Sequence, residues 1–383
     1  MENLLPSFEN GLFLQGIIDQ NLVDRLTPEI LKRRLAGSAA QSPAITCFID
    51  SPGGNPFLAS RILDLARCAH PPHGTGHLIA YVTGRAASAA SDLTIQADYS
   101  YMVPGATMLC HGTSQGANQA INAQTAEFLA ASLRQDNEFY ARQLAAAAFF
   151  RQIFIFSNFG APFQDFLLNP DGGLSGLVDA LRQKLNSHQL RLLLDRAIKR
   201  QGDIRDLTSF ADRQIDRRMK NRTRTLPRNE LEAIILRAIL EQKLKGSKQQ
   251  HWILSEGGLD DLSADFRLLH DYHFGTHNRE AQRLVTQYGE LFLLPGEITE
   301  LGRLPSVTDK DKSEWLTKTT LPRIRELWYF SVSLARLLQE KDFEFDAYDA
   351  YWLGLVNEVV GANLPCVRLF LDATRSVAPL NQT

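Results

Sequence analysis

The chain has 383 residues, of which 44% are hydrophobic and 22% charged, a composition typical of soluble globular proteins. This length is enough for two or three domains. The start, Met1–Pro6, has no basic segment before an apolar one, so we expect no secretory signal. The most apolar region, 145–168, contains Arg151, Asp165 and other polar residues, which argues against a membrane-spanning helix.

Cysteine content and charge narrow the class of protein further. Four scattered cysteines, with neither metal-site spacing nor a disulfide framework, predict a cytoplasmic protein. The net charge of −2 hides a strong asymmetry. Residues 181–250 contain 18 basic and 8 acidic residues, so this basic segment lies within an otherwise acidic chain.

The first elements alternate between strand and helix. Residues 11–16 predict a short strand. The helix that follows ends at Leu35, and its cap is either Asp19 or Thr27. If Thr27 is the cap, Pro28 lies in the first turn of the helix. A nearly continuous apolar run at 44–50 predicts a strand that is buried on both faces.

The alternation continues to about residue 150. Asn55 is a suitable cap for a helix that begins at Pro56. Residues 78–83 and 106–111 predict two further strands. A helix from Ser88 to Ala97 follows the earlier of these strands, and an alanine-rich helix follows the later one. This order predicts an α/β unit with a largely parallel sheet.

The pattern changes after about residue 169. Most of the next 150 or so residues predict helices, including one from Asn229 to a stop at Gly246. A short helix, a glycine and an apolar strand return only at 347–360.

Three predicted strand ends carry groups suited to acyl chemistry. Ser88 lies at a strand-to-helix junction, where free N–H groups and the helix dipole stabilise a developing anion. Gly53 and Gly54 permit a close backbone approach, and the N–H of Ala89 is a possible oxyanion donor. His111 is a possible general base. Alternatively, Ser88 is a helix cap and His111 a hydrogen-bonded core residue.

Five motifs follow one another along the chain: Leu12-Phe13-Leu14-Gln15-Gly16, Asp50-Ser51-Pro52-Gly53-Gly54, Gly84–Ser91, Met108-Leu109-Cys110-His111 and Tyr351–Glu358. In order and spacing, these motifs resemble the proteolytic subunit of the Clp protease. The resemblance covers about residues 11–145 and 335–362.

The resemblance implies a catalytic arrangement. In it Ser88 is the nucleophile, His111 the base, and the N–H groups of Gly54 and Ala89 the oxyanion hole. An extended peptide adds as a strand beside Gly53-Gly54. The third member of the triad is open: we expect Asp342, with Glu340, Asp346 or no acid as alternatives. The chain departs from the family's Gln-Pro after the histidine, since Gly112-Thr113 follows His111.

The resemblance also implies a fold and an assembly. The expected fold is α/β, a crotonase-like spiral of β-β-α units interrupted by a mainly helical insert. The expected domains are a core at 1–150, an insert with the basic segment at 151–333, and the last part of the core with a C-terminal tail at 334–383. Members of the family form rings, so we expect a homo-oligomer that degrades peptides or unfolded proteins, with an unfoldase or adaptor as partner and no cofactor.

Other functions are alternatives to the peptidase. One is a catalytically impaired Clp-like scaffold whose insert binds a protein or nucleic-acid partner, and another is an acyl-CoA enzyme of the related crotonase fold. Nucleic-acid binding is disfavoured, because Phe210 is the only aromatic residue of Phe, Trp or Tyr type in 181–250.

Two further features contain residues that can bind metal or act as nucleophiles, but the sequence favours a structural role for each. His270, Asp271, His273 and His277 form a histidine-rich cluster, but a surface cluster is favoured over a metal site. Strand alternation turns the Cys110 side chain away from His111, which predicts a small core residue rather than a reactive thiol.

Overall fold

A computed structural model describes most of the chain. The described residues are 5–9, 11–36, 44–67, 77–112, 123–219, 228–243, 266, 276–303, 309–340 and 342–365. They divide into two compact units, one formed by 1–194 with 331–383 and the other by 195–330.

The first unit is built on a mostly parallel, seven-stranded sheet. Its main path has the order β1-β2-β3-β4-β7, while β5 pairs with β3 and antiparallel β6 pairs with β5. The predicted α/β class with a largely parallel sheet is therefore confirmed. The strands are β1 Gly11–Gln15, β2 Ile45–Ser51, β3 Leu78–Ala87, β4 Tyr99–Met102, β5 Thr107–Cys110, β6 Phe343–Asp346 and β7 Glu358–Val359.

Helices connect the strands and form all the other regular elements of the described chain. In chain order they are α1 Gln20–Ala36, α2 Pro56–Arg67, α3 Ala89–Gln96, α4 Ala123–Ser157, α5 Ala161–Leu168, α6 Pro170–Arg182, α7 His188–Met219, α8 Arg228–Lys243, α9 Thr276–Tyr288, a 3₁₀ helix Gly289–Phe292, α10 Pro295–Arg303, α11 Asp309–Glu340 and α12 Ala347–Trp352.

Local capping signals explain where α1 and α2 begin. The Asp19 carboxylate accepts from Leu22 N–H at 2.9 Å, so the predicted Asp19 cap is confirmed. The alternative start at Thr27 is wrong, because Thr27 lies within α1 and its hydroxyl donates to the Val23 carbonyl. At α2, the Asn55 side chain accepts from the N–H groups of the next turn, as predicted.

The C-terminal segment completes the sheet of the first unit. Strand β6 pairs with β5, and β7 pairs with β4. Asn357 anchors this segment, since its side-chain oxygen accepts from Ser100 N–H and from the Ser100 hydroxyl, both at 3.0 Å. Strands β6 and β7 are therefore part of the same sheet as the strands before residue 111.

Residues 151–194 pack with the first unit. Helix α4 continues past residue 150 to Ser157, and its Gln152 donates to the Leu353 carbonyl at 3.1 Å. The division between the two units thus falls at 194/195, whereas the predicted domain boundary is at 150/151. In the second unit the described regular elements are helical, and Arg323 pairs with Glu297 at 2.7 Å.

Length and apolar content decide whether any helix in the described part of the chain could cross a bilayer. Taken singly, no helix there is long and apolar enough to cross a bilayer. The segments Phe139–Ser157 and Ala161–Leu168 reach the required length and composition only as a pair, which is bent by 113°. Phe149, Ile153 and Phe166 within this pair are fully buried in the protein.

Candidate active site

Ser88 has an unusual backbone conformation at the junction of β3 and α3. Its φ of 55° makes it the one non-glycine residue with positive φ in the described part of the chain. Its N–H donates to the Leu109 carbonyl at 2.9 Å, and its own carbonyl accepts from Ser91 and Asp92 N–H groups. Such a conformation costs about 1–3 kcal/mol and is typical of functional turns, including the strand-to-helix elbow that presents a nucleophilic serine.

Gly53 lies directly against this turn. A Cβ at Gly53 would come within 2.4 Å of the Ala87 carbonyl oxygen and 2.5 Å of Ser88 Cβ, and its φ is 94°. The Gly53 N–H donates to the Ser51 hydroxyl, which in turn donates to the Gly16 carbonyl. A glycine is required here because any side chain would push the loop away from Ser88.

The oxyanion donors that the resemblance implies are the backbone N–H groups of Gly54 and Ala89. Ile18 N–H donates to the Gly53 carbonyl, and Asn55 N–H donates to the Ile18 carbonyl, so Gly54 is bridged to Ile18 in a parallel arrangement. In that pattern the N–H of Gly54 itself points away from Ile18. Ala89 is the first residue of α3, where N–H groups have no intrahelical acceptor.

His111 follows β5, beside the end of β3. Ala87 pairs with Leu109, so Ser88 and His111 follow the carboxyl ends of neighbouring parallel strands. The imidazole is partly buried, and its Nδ1 donates to the Gly112 carbonyl at 2.6 Å. Because a carbonyl only accepts, this bond leaves Nε2 of the neutral ring as an acceptor. Among the described contacts, however, Ser88 Oγ and His111 are not hydrogen-bonded to each other.

The three candidate acids, Asp342, Asp346 and Glu340, differ in their position relative to His111. Cys110 pairs with Phe343 in the antiparallel β5–β6 ladder, so continuing the register places Asp342 opposite His111. Asp342 is exposed, and no hydrogen bond joins it to His111 within the described residues. Asp346 instead accepts from Asp349 N–H at the start of α12 and from the Asn186 side chain. Glu340 is the last residue of α11.

The structure describes Cys110 fully, but the histidine-rich cluster and the basic segment only in part. Cys110 is 2% exposed, and burial raises the pKa of its thiol to about 12, which confirms a small core residue. His270, Asp271 and His273 lie outside the described residues. No group of three or more potential metal-ligating side chains occurs within the described part of the chain. Part of the basic segment, 220–227 and 244–250, is likewise outside it.

Asp92 is a further candidate that sequence reasoning missed. It lies one helical turn after Ser88 on α3, where Ala89, Ala90 and Leu93 are fully buried. Burial raises the pKa of its carboxyl to about 7. The sequence feature that could have identified Asp92 is its spacing of four residues from Ser88, which directs both side chains to one side of the helix.

The raised pKa of Asp92 predicts a dependence of stability on pH. The folded protein holds this proton more tightly than the unfolded chain, so the contribution is favourable below about pH 4 and is lost as pH rises to about 7. We expect Asp92→Asn to be more stable than wild type at pH 8 by on the order of 1–3 kcal/mol, with little difference at pH 4. Denaturant unfolding at the two pH values measures this.

The exposed Asp165 supplies a matched control for that comparison. Asp165→Asn should show the same small difference from wild type at both pH values. A difference between Asp92→Asn and wild type that shrinks as pH rises would contradict the assigned direction.

Comparison with known proteins identifies one family. Residues 7–145 match the family model described as Clp protease. This match includes Gly53, Gly54, Ser88 and His111, but it ends before Asp342. No curated protein matches the chain.

Proposed function

We propose that the protein is a Clp-type serine peptidase with Ser88 as its nucleophile, since residues 7–145 match the family model described as Clp protease. The observation that carries the proposal is the φ of 55° at Ser88, in a turn packed on Gly53 at the start of α3. A hydrogen-bonded helix cap does not account for this conformation, because the Ser88 side chain makes no capping hydrogen bond.

The proposed reaction proceeds through an acyl-enzyme. Nε2 of His111 removes the hydroxyl proton as Ser88 Oγ attacks the peptide carbonyl carbon. The resulting oxyanion accepts from the N–H groups of Gly54 and Ala89. The imidazolium then gives its proton to the leaving amine as the C–N bond breaks, which leaves an ester on Ser88. Water, deprotonated by His111, hydrolyses this ester, and the Ser88 hydroxyl recovers its proton.

For this reaction a hydrogen bond must form between Ser88 Oγ and Nε2 of His111. Catalytic hydrogen bonds are often long without substrate and shorten in the substrate complex. The Gly112 carbonyl favours the required tautomer of His111, and Asp342 is our choice for the orienting acid in the active arrangement. An extended peptide would pair with the backbone at Gly53-Gly54, so main-chain hydrogen bonds would supply much of the affinity.

We extend the proposal to fold and assembly. The first unit would be a crotonase-like spiral of β-β-α units, and residues 151–333 a mainly helical insert that alters ring stacking or substrate access. The protein would form a homo-oligomeric ring that acts on peptides or unfolded proteins, with an unfoldase or adaptor as partner. Its proposed compartment is the cytoplasm, since Cys47 and Cys110 are buried free thiols.

A fluorophosphonate probe tests the proposed nucleophile. We expect the full-length protein to be labelled, with the adduct located on Ser88 by peptide mass spectrometry, because a neighbouring base and oxyanion donors activate that hydroxyl. Ser88→Ala should not be labelled, whereas Ser157→Ala, which removes an exposed hydroxyl, should be labelled like wild type.

A specific observation favours the impaired scaffold as the second candidate. In the described structure Ser88, His111 and Asp342 are not joined by hydrogen bonds. Absence of labelling from wild type, in a protein shown to be folded, would support the scaffold and contradict the peptidase.

A further inference from the structure

The carbonyl group of Ser88 accepts hydrogen bonds from three donors at the start of α3. The donors are Ser91 N–H at 2.8 Å, Asp92 N–H at 3.1 Å and the Ser91 hydroxyl at 2.6 Å. The bond from the hydroxyl is the shortest of the three, and Ser91 is fully buried. The first turn of the helix therefore fixes the direction of the Ser88 carbonyl.

The direction of this carbonyl also sets the direction of the Ala89 N–H. The two groups belong to one peptide unit, which is planar and trans, so the C=O and the N–H point in opposite directions. Because the Ser88 carbonyl is bonded to groups that follow it on α3, the Ala89 N–H points out from the N-terminal end of the helix. This N–H is one of the two proposed oxyanion donors, and the Ser91 hydroxyl thus acts on its direction.

A thiol on β5 orients the Ser91 hydroxyl in turn. The Cys110 thiol donates to Ser91 Oγ, with the sulfur and the oxygen 3.8 Å apart. Burial raises the pKa of this thiol to about 12, so the thiol keeps its proton at neutral pH and is the donor. Since Ser91 Oγ accepts this bond, its own proton is left for the Ser88 carbonyl. Cys110 immediately precedes His111, so this contact joins the turn at Ser88 to the strand that leads to the proposed base.

We propose that Ser91 is a positioning residue of the active site, whose hydroxyl holds the Ser88 carbonyl and thereby directs the Ala89 N–H at the oxyanion. The inference rests on the proposed peptidase function and adds a residue to which the family resemblance gives no role. The effect belongs to the transition state, because the substrate oxygen gains negative charge there and a misdirected donor stabilises less of that charge. Ser91 acts only through the peptide unit of Ser88 and Ala89.

Ser91→Ala tests the proposal through the kinetics of a short peptide substrate with the full-length protein. The variant removes the hydroxyl and leaves the two N–H donors to the Ser88 carbonyl. We expect kcat to fall by roughly 10- to 100-fold with KM little changed, which is less than the about 10²- to 10³-fold loss when an oxyanion donor is removed outright. A peptide boronate forms a tetrahedral adduct with the serine hydroxyl, and its affinity should fall by a similar factor.

Thr94→Val is the matched control on the same helix. Thr94 is also fully buried, and its hydroxyl donates to the Ala90 carbonyl at 2.8 Å, one turn earlier. That carbonyl does not belong to the peptide unit that carries the Ala89 N–H. Thr94→Val should therefore keep the wild-type kcat and boronate affinity, while the denaturant midpoints of Thr94→Val and Ser91→Ala fall by similar small amounts.

The outcomes separate this inference from the proposed function. If wild type is labelled at Ser88 and cleaves peptides, but Ser91→Ala loses no more kcat than Thr94→Val, the positioning role is wrong and the peptidase stands. A loss that appears only in KM would also contradict the role, because it would show an effect on substrate binding and not on the transition state. If wild type is neither labelled nor active, the peptidase fails and the inference fails with it.

Discussion

Ser88→Ala, His111→Ala and the double variant should all lose peptidase activity to a similar extent, by about 10⁴-fold or more in kcat. The two residues act on the same step, because the hydroxyl is a weak nucleophile without the imidazole and the imidazole has no proton to remove without the hydroxyl. Once one is missing, removing the other should cost little more. Initial rates on a short peptide substrate of the full-length protein measure the effect.

A matched control separates loss of the base from loss of a histidine in general. His188 is exposed at the start of α7, away from the strand ends that carry Ser88 and His111. His188→Ala should therefore keep the wild-type rate. Independent losses that add up in the double variant would show that Ser88 and His111 do not form a catalytic unit.

Elements with strong local signals could be predicted from the sequence alone. The Asn55-Pro56 start of α2 and the Asp19 start of α1 depend on side chains that cap the adjacent turn. The β2 and β3 runs are apolar because both faces of the sheet are covered. The position of Ser88 between a strand and a helix could be predicted because the sequence changes there from an apolar strand pattern to a helix pattern within a few residues.

Elements that depend on distant partners could not be predicted in this way. Strands β4 and β6 have four residues each, and unlike the equally short β5 their apolar residues are interrupted by Ser100 and Glu344. They are strands because β4 pairs with β3 and β7, and β6 pairs with β5. Asp92 was missed for a related reason: its significance comes from α2 and α4 packing around it, which no local pattern records.

Arg151→Met should destabilise the first unit by about 2–5 kcal/mol, because each buried carbonyl that loses its donor costs about 1–3 kcal/mol. Arg151 is 3% exposed on α4. Its guanidinium donates to the side-chain oxygen of Asn357 at 2.8 Å, and to the carbonyls of Ile95 at 2.9 Å and Ala97 at 3.2 Å. Methionine fills part of the same space but removes this donor from the buried carbonyls of Ile95 and Ala97, whereas the Asn357 oxygen keeps its bonds from Ser100.

The expected loss of stability comes from this buried network, and replacing an exposed arginine on a helix should not cause it. Arg182 on α6 forms an ion pair with Asp179, and its side chain is 40% exposed. Arg182→Met should therefore cost less than about 1 kcal/mol. Denaturant midpoints compare the variants, and hydrogen exchange at the Ser100 and Asn357 amides locates the loss. Equal midpoints for the two variants would contradict the role given to Arg151.

Stability and activity should be coupled through the helix that follows Ser88. Arg151 holds the carbonyls of Ile95 and Ala97 at the end of α3, whereas Ser88 begins that helix. The strained turn at Ser88 persists only if its surroundings hold both ends of α3. Under conditions where Arg151→Met remains folded, we therefore expect slower fluorophosphonate labelling of Ser88 than in wild type. Unchanged labelling would show that the turn is held by Gly53 and the β3–β5 pairing alone.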